Sequence, residues 1–405
     1  MAGSIEKRGE NSYRLIVSGG RSGDGKRKKY TKTIKIDGKT EAEKKRKAEK
    51  ELAKFIAEVE NNSFIEPSKL TLKGFAEKWL KDYAEKNLAP KTLFRYKEII
   101  NSRIIPALGH LKLDKIKPLH LLEFYNNLQE DGIRKDGKPG GLSAETIKYH
   151  HRILHVIFGT AVKWQLLNNN PADKVDPPKV KKNEADFYNE DEVQQLIYEL
   201  DKTSENEFKY KVAIILTLTS GMRLGELTGL KWGNIDFDKN TVYIVQSSQY
   251  LPDKGTFIKE PKNNTSIRTI TLPEPAMNLL KKHKIHEDEK RLECGTLWND
   301  TGFVFTQWNG NPMYPSTPSK WFKKFLEKHN LRVITFHQLR HTSASLLINE
   351  NMNIRAISKR LGHSNASTTL NIYTHALKSA DEIAAVKLEN IIFKNEPNTE
   401  NNKAK

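Results

Sequence analysis

Tyr373 follows His363 by ten positions in the stretch LGHSNASTTLNIYTH, near the end of a 405-residue chain. A phenol is a weak nucleophile at neutral pH, because a pKa of about 10 leaves roughly one molecule in a thousand ionised, which costs about 4 kcal/mol. Cationic neighbours remove much of that penalty. We therefore interpret Tyr373 as a candidate nucleophile, and His363 as one of the groups that would assist it.

Two arginines lie in contexts that can hold a guanidinium in place. Arg223 follows TSGM, where Gly221 can adopt the positive φ that ends a helix, so the next turn begins beside the arginine. Arg340 follows His337 by three residues in FHQLRHT, so a helix would place both on one side. Two guanidiniums around one phosphate would neutralise its non-bridging oxygens without a metal. For either arginine alone, a surface salt bridge also fits the sequence.

A lysine could complete this chemistry: if Tyr373 attacks the phosphate, the oxygen that leaves phosphorus needs a proton. The stretch FIKEPKNNTSIRTITL offers Lys259 and Lys262 between two strand-like runs. We favour Lys262, at the turn, where an extended side chain could reach into a groove. The phosphotyrosyl ester would keep the energy of the broken phosphodiester, so rejoining to another 5′-hydroxyl would need no ATP.

A zinc site is a weaker interpretation of the histidines. His337 and His341 stand at i and i+4, and His363 and His375 follow. In an H-E-x-x-H motif, however, the second position is the glutamate base, and here it is Gln338. We therefore predict no metal.

A nucleotide site is also disfavoured. GRSGDGKR, from Gly20 to Arg27, nearly matches a phosphate-binding loop, but Arg27 replaces the magnesium-binding Ser or Thr. Strand-like alternation follows it instead of a helix. The sequence predicts a hairpin turn here, and no cofactor.

Composition indicates a polyanionic partner. Lysine plus arginine outnumber aspartate plus glutamate by 68 to 50, which gives a net charge of +18 and favours nucleic acid. No stretch approaches the roughly 20 apolar residues of a membrane span, and MAGSIEKRGENSYR lacks a signal-peptide core. We therefore expect a cytoplasmic protein. Cys294 is the only cysteine, which excludes an intramolecular disulfide and a multi-cysteine metal site.

The elements that would position these residues indicate a multidomain α+β protein. Three alternating runs followed by a helical pattern predict a small three-stranded sheet plus helix, and a set of helical stripes predicts an all-helical domain in which Ser143 is an N-cap. A Pro- and Lys-rich linker follows, and then a mainly helical domain with a small antiparallel sheet. The predicted ranges are 1–62, 68–175, 176–187 (linker), 188–393 with a C-terminal helix, and 394–405 as a disordered tail.

The first of these domains is strongly basic. Between Lys7 and Lys39 there are eleven basic and three acidic residues, so one face of the sheet is expected to lie on DNA phosphates. The candidate DNA-binding residues are Lys7, Arg14, Lys26, Arg27, Lys28, Lys29 and Lys32.

Four blocks resemble the tyrosine site-specific recombinases, the phage-type integrases, and are most similar to integrases of conjugative transposons. The blocks are TSGMRLGELTGLKW, EPKNNTSIRTITL, FHQLRHTSAS and LGHSNASTTLNIYTH, in family order within about 150 residues. Each block is weak alone, whereas the ordered set is specific. One departure is Gln338, where the family more often has aspartate, which could alter how the helix start is held.

The resemblance implies a tyrosine recombinase catalytic fold and a role for each matched residue. Tyr373 would be the nucleophile, and Glu226 would be the acidic residue that supports the site. The implied phosphate-activating set is Arg223, Lys262, His337, Arg340 and His363.

The resemblance also implies a function and partners. The enzyme would integrate and excise a mobile element through a transient 3′-phosphotyrosyl bond, without a cofactor. Arm-binding and core-binding domains would contact the arm and core attachment sites of double-stranded DNA. The enzyme would act as a homo-tetramer on DNA, together with an excisionase and a host DNA-bending protein. It would be located at the bacterial nucleoid, and no membrane would be involved. The C-terminal stripe of Ala384, Leu388, Ile391 and Ile392 could dock on a neighbouring protomer or on its own domain.

Three other functions remain as alternatives. A type IB topoisomerase shares this chemistry but relaxes supercoils without site choice, and the separate basic N-terminal sheet favours the recombinase. A non-catalytic DNA-binding protein would not need the whole catalytic set. A metal-dependent nuclease is less consistent with the residues.

Overall fold

The computed structural model describes residues 2–21, 27–61, 70–180, 186–259 and 267–363, together with Ala385, Leu388, Glu389, Ile391 and Ile392. The chain divides into two compact units, residues 1–181 and 182–405. The division falls within the predicted linker, 176–187. The predicted tail, 394–405, lies outside the described residues.

The chain begins with an antiparallel sheet of three strands in the order β1-β2-β3, which are β1 Ala2–Lys7, β2 Ser12–Arg21 and β3 Arg27–Lys35. Helix α1, Glu41–Glu60, follows, with Thr40 as its N-cap. Alternation along β2 places Leu15 and Val17 on one face, where they pack with the Phe55 side chain of α1. The predicted three strands plus helix are confirmed.

The near match to a phosphate-binding loop falls between β2 and β3. Arg21 pairs with Arg27 across the two antiparallel strands, and residues 22–26 lie outside the described part. Because a strand and not a helix follows Arg27, the helix N-terminus that cradles phosphate in such a loop does not follow it.

The rest of the first unit is helical. Its α-helices are α2 Leu72–Trp79, α3 Glu85–Asn87, α4 Pro90–Ile99, α5 Ile105–Leu108, α6 Pro118–Asn127 and α7 Ala144–Lys163. Single π turns, Leu80–Ala84 and Ile100–Ile104, join α2 to α3 and α4 to α5. Pro106 explains the second turn, because proline has no N–H to donate and its ring clashes with the carbonyl four residues before it. Short 3₁₀ turns are Leu113–Lys115 and Pro171–Lys174.

The predicted helical stripes of this region form its core. Phe75 and Trp79 of α2 are fully buried, and the Trp79 indole donates to the Thr160 hydroxyl of α7 at 3.0 Å. This bond satisfies a polar atom that would otherwise be costly to bury. The predicted N-cap is confirmed, because Ser143 accepts from the Thr146 N–H at the start of α7.

The second unit is mainly helical with small antiparallel sheets, which confirms the predicted fold. Its helices are α8 Glu190–Asp201, α9 Phe208–Ser220, α10 Leu224–Thr228, α11 Glu274–Cys294, α12 Thr317–Lys328, α13 Phe336–Asn349 and α14 Ile354–Leu361. Its strands are β4 Ile235–Asp236, β5 Thr241–Ile244, β6 Ser247–Leu251, β7 Gly255–Lys259 and β8 Arg268–Thr271. The 3₁₀ turns are Glu205–Glu207, Trp232–Asn234 and Gly295–Leu297. The strands form one sheet in the order β4-β5-β8 and a separate β6-β7 hairpin.

Helix α9 is the centre of this unit. It is apolar over most of its circumference, with Val212, Ile214 and Leu216 all buried, as expected of a helix surrounded by others. Helices α11, α12 and α13 pack against it. The carboxyl end of α9, which leads to Arg223, therefore has a fixed position relative to α13, which carries His337 and Arg340.

Candidate active site

Arg223 is placed by a sharp break between two helices. Helix α9 ends at Gly221, whose φ is +67°, and Arg223 is the N-cap of α10. A Cβ atom on Gly221 would lie 2.4 Å from Leu361 Cδ2. Glycine is therefore required here for two reasons, because it tolerates the positive φ and because there is no space for a side chain. This confirms the predicted helix end beside the arginine.

Glu226 holds Arg223 in a fixed orientation. The Arg223 backbone N–H donates to Glu226 Oε2 at 3.0 Å, and the guanidinium donates to Oε1 at 2.8 Å. The other terminal nitrogen donates to the Gly362 carbonyl at 3.1 Å. Glu226 is buried and the Arg223 side chain is 38% exposed, so the guanidinium is both fixed and open to solvent.

Arg340 and His337 lie on α13. Thr335 caps this helix together with Gln338, whose Oε1 accepts from the Thr335 N–H at 2.5 Å. The Gln338 side chain therefore holds the helix start as a capping box. Arg340 is 2% exposed, and it donates to the Gly221 carbonyl at 2.6 Å, beside the segment that carries Arg223.

His363 follows directly after α14. That helix ends at Gly362, with φ +68°, and the His363 N–H donates to the Ser358 carbonyl at 3.0 Å. Since Arg223 donates to the Gly362 carbonyl, the turn that carries His363 is bound to the start of α10. Residues of three of the four sequence blocks are thus brought together.

The imidazoles share one positively charged region. The pKa of His363 is lowered to about 4, first by burial and then by the charges of Arg340 and Arg223. The pKa of His337 is lowered by burial and by the same two arginines, and that of His341 falls to about 4 through burial, His337 and Arg340. At neutral pH the imidazoles are therefore uncharged, and the guanidiniums carry the positive charge.

Arg268 is a residue of this site that the sequence reasoning did not single out. It lies at the start of β8 and is 8% exposed. Its Nη2 donates to Glu226 Oε2 at 2.8 Å, and its Nε donates to the Arg360 carbonyl at 2.7 Å. A signal was present in the sequence, because strand alternation puts Arg268 on the same face as the apolar Ile270.

Lys262 and Tyr373 lie outside the described residues, as does His375. Lys259, the other lysine considered, ends β7 opposite Ser247. The β6-β7 hairpin that leads to Lys262 approaches α10 closely, since a Cβ on Gly229 would lie 2.8 Å from the Ser248 nitrogen. The roles of Lys262 and Tyr373 remain predictions.

The basic residues of the N-terminal sheet divide between its two faces. Lys7 pairs with Glu41 at 2.9 Å and Lys32 with Glu58 at 2.9 Å, so both lie on the side covered by α1. Arg14 lies on the opposite face, because it is opposite Thr33 in register and adjoins the inward-facing Leu15.

Lys29 is opposite Ser18 and therefore shares with Arg14 the uncovered face, which is the face that α1 does not cover. Lys35, opposite Ser12, lies there too, although it was not among the predicted residues. Lys26 lies outside the described part, and Arg27 and Lys28 are placed only as backbone of β3. DNA contact by these residues stays a prediction.

Two features are absent from the described ranges. No group of three or more His, Cys, Asp or Glu there could hold a metal ion. Within those ranges, none of the helices combines the length and the apolar composition that a membrane span requires.

Comparison with known proteins agrees with the geometry. Residues 186–380 match the phage integrase family, and residues 71–129 match the N-terminal SAM-like domain of phage integrases. A XerC-like tyrosine recombinase of Caldanaerobacter subterraneus is 29% identical, over 96% of this chain and 98% of its own. The transposase of transposon Tn916 from Enterococcus faecalis is 27% identical, over 66% of this chain and 65% of its own.

Solved structures show the same fold. The Tn1549 transposon integrase in complex with a circular intermediate DNA has a TM-score of 0.63 at 22% identity, covering 78% of this chain and 100% of that one. A lambda integrase tetramer bound to a Holliday junction has a TM-score of 0.55 at 18% identity, covering 89% and 96%. The chain belongs to the phage integrase family of tyrosine recombinases.

Proposed function

We propose that this recombinase integrates and excises a mobile DNA element by cutting and rejoining DNA at specific sites through a 3′-phosphotyrosyl intermediate. The observation that carries the proposal is the gathering of Arg223, His337, Arg340 and His363, from three separate stretches of the chain, in one positively charged region. A phosphodiester needs this set, because its charge grows on the non-bridging oxygens during displacement at phosphorus.

Each residue has a defined part in the proposed reaction. Arg223 and Arg340 bind the non-bridging oxygens of the phosphate, and the neutral imidazoles of His337 and His363 hydrogen-bond to the phosphate and to the attacking phenol. The Tyr373 oxygen gives its proton to a neutral imidazole of the site and forms a bond to phosphorus, while the bond from phosphorus to the 5′-oxygen breaks. Lys262 gives its proton to that oxygen, which leaves as a 5′-hydroxyl.

Rejoining is the reverse of this step. A 5′-hydroxyl from the partner DNA attacks the phosphotyrosine, Tyr373 leaves, and the phosphodiester is restored on a new partner. No bond energy is lost between the two steps, so no nucleotide is required. The guanidiniums of Arg223 and Arg340 neutralise the phosphate, a role that a metal ion would otherwise have. Glu226 supports the site by holding Arg223 in its position.

Each domain has its own proposed role. Residues 1–62 would bind arm sites through the uncovered sheet face, residues 68–175 would bind core sites, and residues 188–393 would carry out catalysis after the linker at 176–187. Support for DNA and for a homo-tetramer comes from the Tn1549 and lambda integrase complexes. An excisionase, a host DNA-bending protein and a location at the bacterial nucleoid complete the proposal.

The test compares two supercoiled plasmids in the presence of EDTA. One carries two copies of the joined element ends, taken from the DNA that flanks the gene, and the other carries none. We expect recombinant circles from the first plasmid alone. Relaxation of both plasmids without recombinants would instead indicate a type IB topoisomerase, loss of cleavage in EDTA a metal-dependent nuclease, and binding without any cleavage a non-catalytic DNA-binding protein.

A further inference from the structure

Arg268 carries a positive charge in the protein interior, where a charge is unfavourable. Its side chain is 6% exposed, and along β8 it shares a face with Ile270, which is buried. A buried guanidinium needs both an opposite charge and hydrogen-bond acceptors. The acceptors that Arg268 uses connect it to the candidate active site.

Arg268 contacts two of the elements that carry the site. It binds both oxygens of Glu226 on α10, with Nη2 at 2.8 Å from Oε2 and Nη1 at 3.3 Å from Oε1. Its Nε donates to the Arg360 carbonyl at the end of α14, at 2.7 Å. A single planar side chain therefore fixes α10 and α14 relative to β8.

These contacts close a ring of hydrogen bonds. Glu226 also binds Arg223, and Arg223 donates to the Gly362 carbonyl, two residues beyond the Arg360 carbonyl that Arg268 binds. The ring passes close to Gly362, where a Cβ would lie 2.8 Å from Arg268 Nη1. Both the Arg223 guanidinium and the turn before His363 belong to it.

Charge balance gives Arg268 a second effect on Arg223. The carboxylate of Glu226 lies against two guanidiniums, so the three groups together carry one net positive charge. Without Arg268, Glu226 and Arg223 would form a neutral pair, and the attraction of Arg223 for a phosphate would weaken. Burial tends to raise the pKa of the Glu226 carboxyl, but the hydrogen bonds and charges of Arg268 and Arg223 outweigh burial and lower it.

We propose that Arg268 is a positioning residue for phosphodiester cleavage: through Glu226 it keeps the Arg223 guanidinium oriented and offsets the carboxylate charge that would otherwise neutralise it, and through the Arg360 carbonyl it fixes the turn that leads to His363. The inference rests on the proposed function, since it assigns Arg268 to the same reaction.

The test uses the full-length chain in single-turnover cleavage of a nicked suicide substrate. The scissile phosphate is either an ordinary phosphodiester or a methylphosphonate, in which a methyl group replaces one non-bridging oxygen and removes the negative charge. Arg268→Gln is expected to slow phosphodiester cleavage by about 100-fold, the effect of a small misplacement of a catalytic group. The defect should be at least about tenfold smaller on the methylphosphonate, which has less need of Arg223.

Arg332→Gln is the matched control, because Arg332 binds Glu192 and Asp186 in the same unit but contacts none of the candidate site residues that the structure describes. This control variant should change the cleavage rates of both substrates by the same factor. Arg268→Lys keeps the charge and should retain more activity than Arg268→Gln, and this variant serves as the test if Arg268→Gln fails to fold in thermal unfolding.

Equal slowing of Arg268→Gln on both substrates, or no slowing on the phosphodiester, would overturn the assignment. The same equal slowing by Arg268→Lys, where Arg268→Gln does not fold, would do so too. Failure of the wild-type chain to cleave the phosphodiester at all would contradict the proposed function instead, so the two failures are distinguishable.

Discussion

The guanidinium of Arg340 donates to the carbonyl oxygen of Gly221 across 2.6 Å, although 119 positions separate the two residues in the chain. This bond joins α13 to the end of α9. Because Arg223 begins α10 two residues later, the same contact sets how the two candidate phosphate-binding arginines are spaced. Gly221 therefore affects both the packing of α13 on α9 and the spacing of the two arginines.

Replacement of Gly221 by alanine should affect both stability and cleavage. The new methyl group would meet Leu361 Cδ2 at 2.4 Å, on a backbone with φ +67°. Gly255→Ala is the matched control, because its φ is +68° and nothing lies within 4 Å of the added atom. Gly255→Ala should lose about 1–2 kcal/mol from strain alone, and Gly221→Ala a further 1–3 kcal/mol, roughly, from overpacking. Urea unfolding measures both losses, and equal losses would show that the clash relaxes freely.

Acid should destabilise the protein through the histidines of the site. The pKa of His341 is about 4, below the value of about 6.5 expected in an unfolded chain. Between these pH values the unfolded chain binds more protons than the folded one, so the free energy of unfolding rises with pH. His341→Gln should reduce that slope by up to about 1.4 kcal/mol per pH unit.

The measurement is urea unfolding at several pH values from 4 to 7. His110→Gln, a change of an exposed histidine in the other unit, is the control and should leave the slope as in the wild type. Identical slopes for His341→Gln and His110→Gln would contradict the account of the site electrostatics.

The two faces of the N-terminal sheet predict different effects on DNA binding. Lys29 lies on the uncovered face, whereas Lys32 pairs with Glu58 beside α1. Lys29→Gln should weaken binding to DNA of the element ends and reduce the slope of log K against log salt by about 0.9, the loss of one phosphate contact. Lys32→Gln should leave the slope unchanged. A larger effect of Lys32→Gln on this slope would show that DNA binds to the face covered by α1 instead.

Local rules predicted much of the fold from the sequence. Gly221 at the helix end and Ser143 at the N-cap depend on residues next to them in the chain, and the structure confirms both. The pairing of Arg268 with Glu226 joins residues 42 positions apart, and no local pattern specifies such a partner. Likewise, strand alternation does not say which face of the N-terminal sheet α1 covers, and that choice separates Lys32 from Lys29.

The most direct test of the central claim is the identity of the residue that becomes joined to DNA. A nicked suicide substrate with a labelled strand would trap the covalent complex, and peptide mapping would locate the attachment. The wild type and a Tyr250→Phe control should form an adduct that maps to Tyr373, while Tyr373→Phe should bind the DNA and form none. A covalent adduct at normal yield in Tyr373→Phe, or one that maps to another residue, would contradict the mechanism.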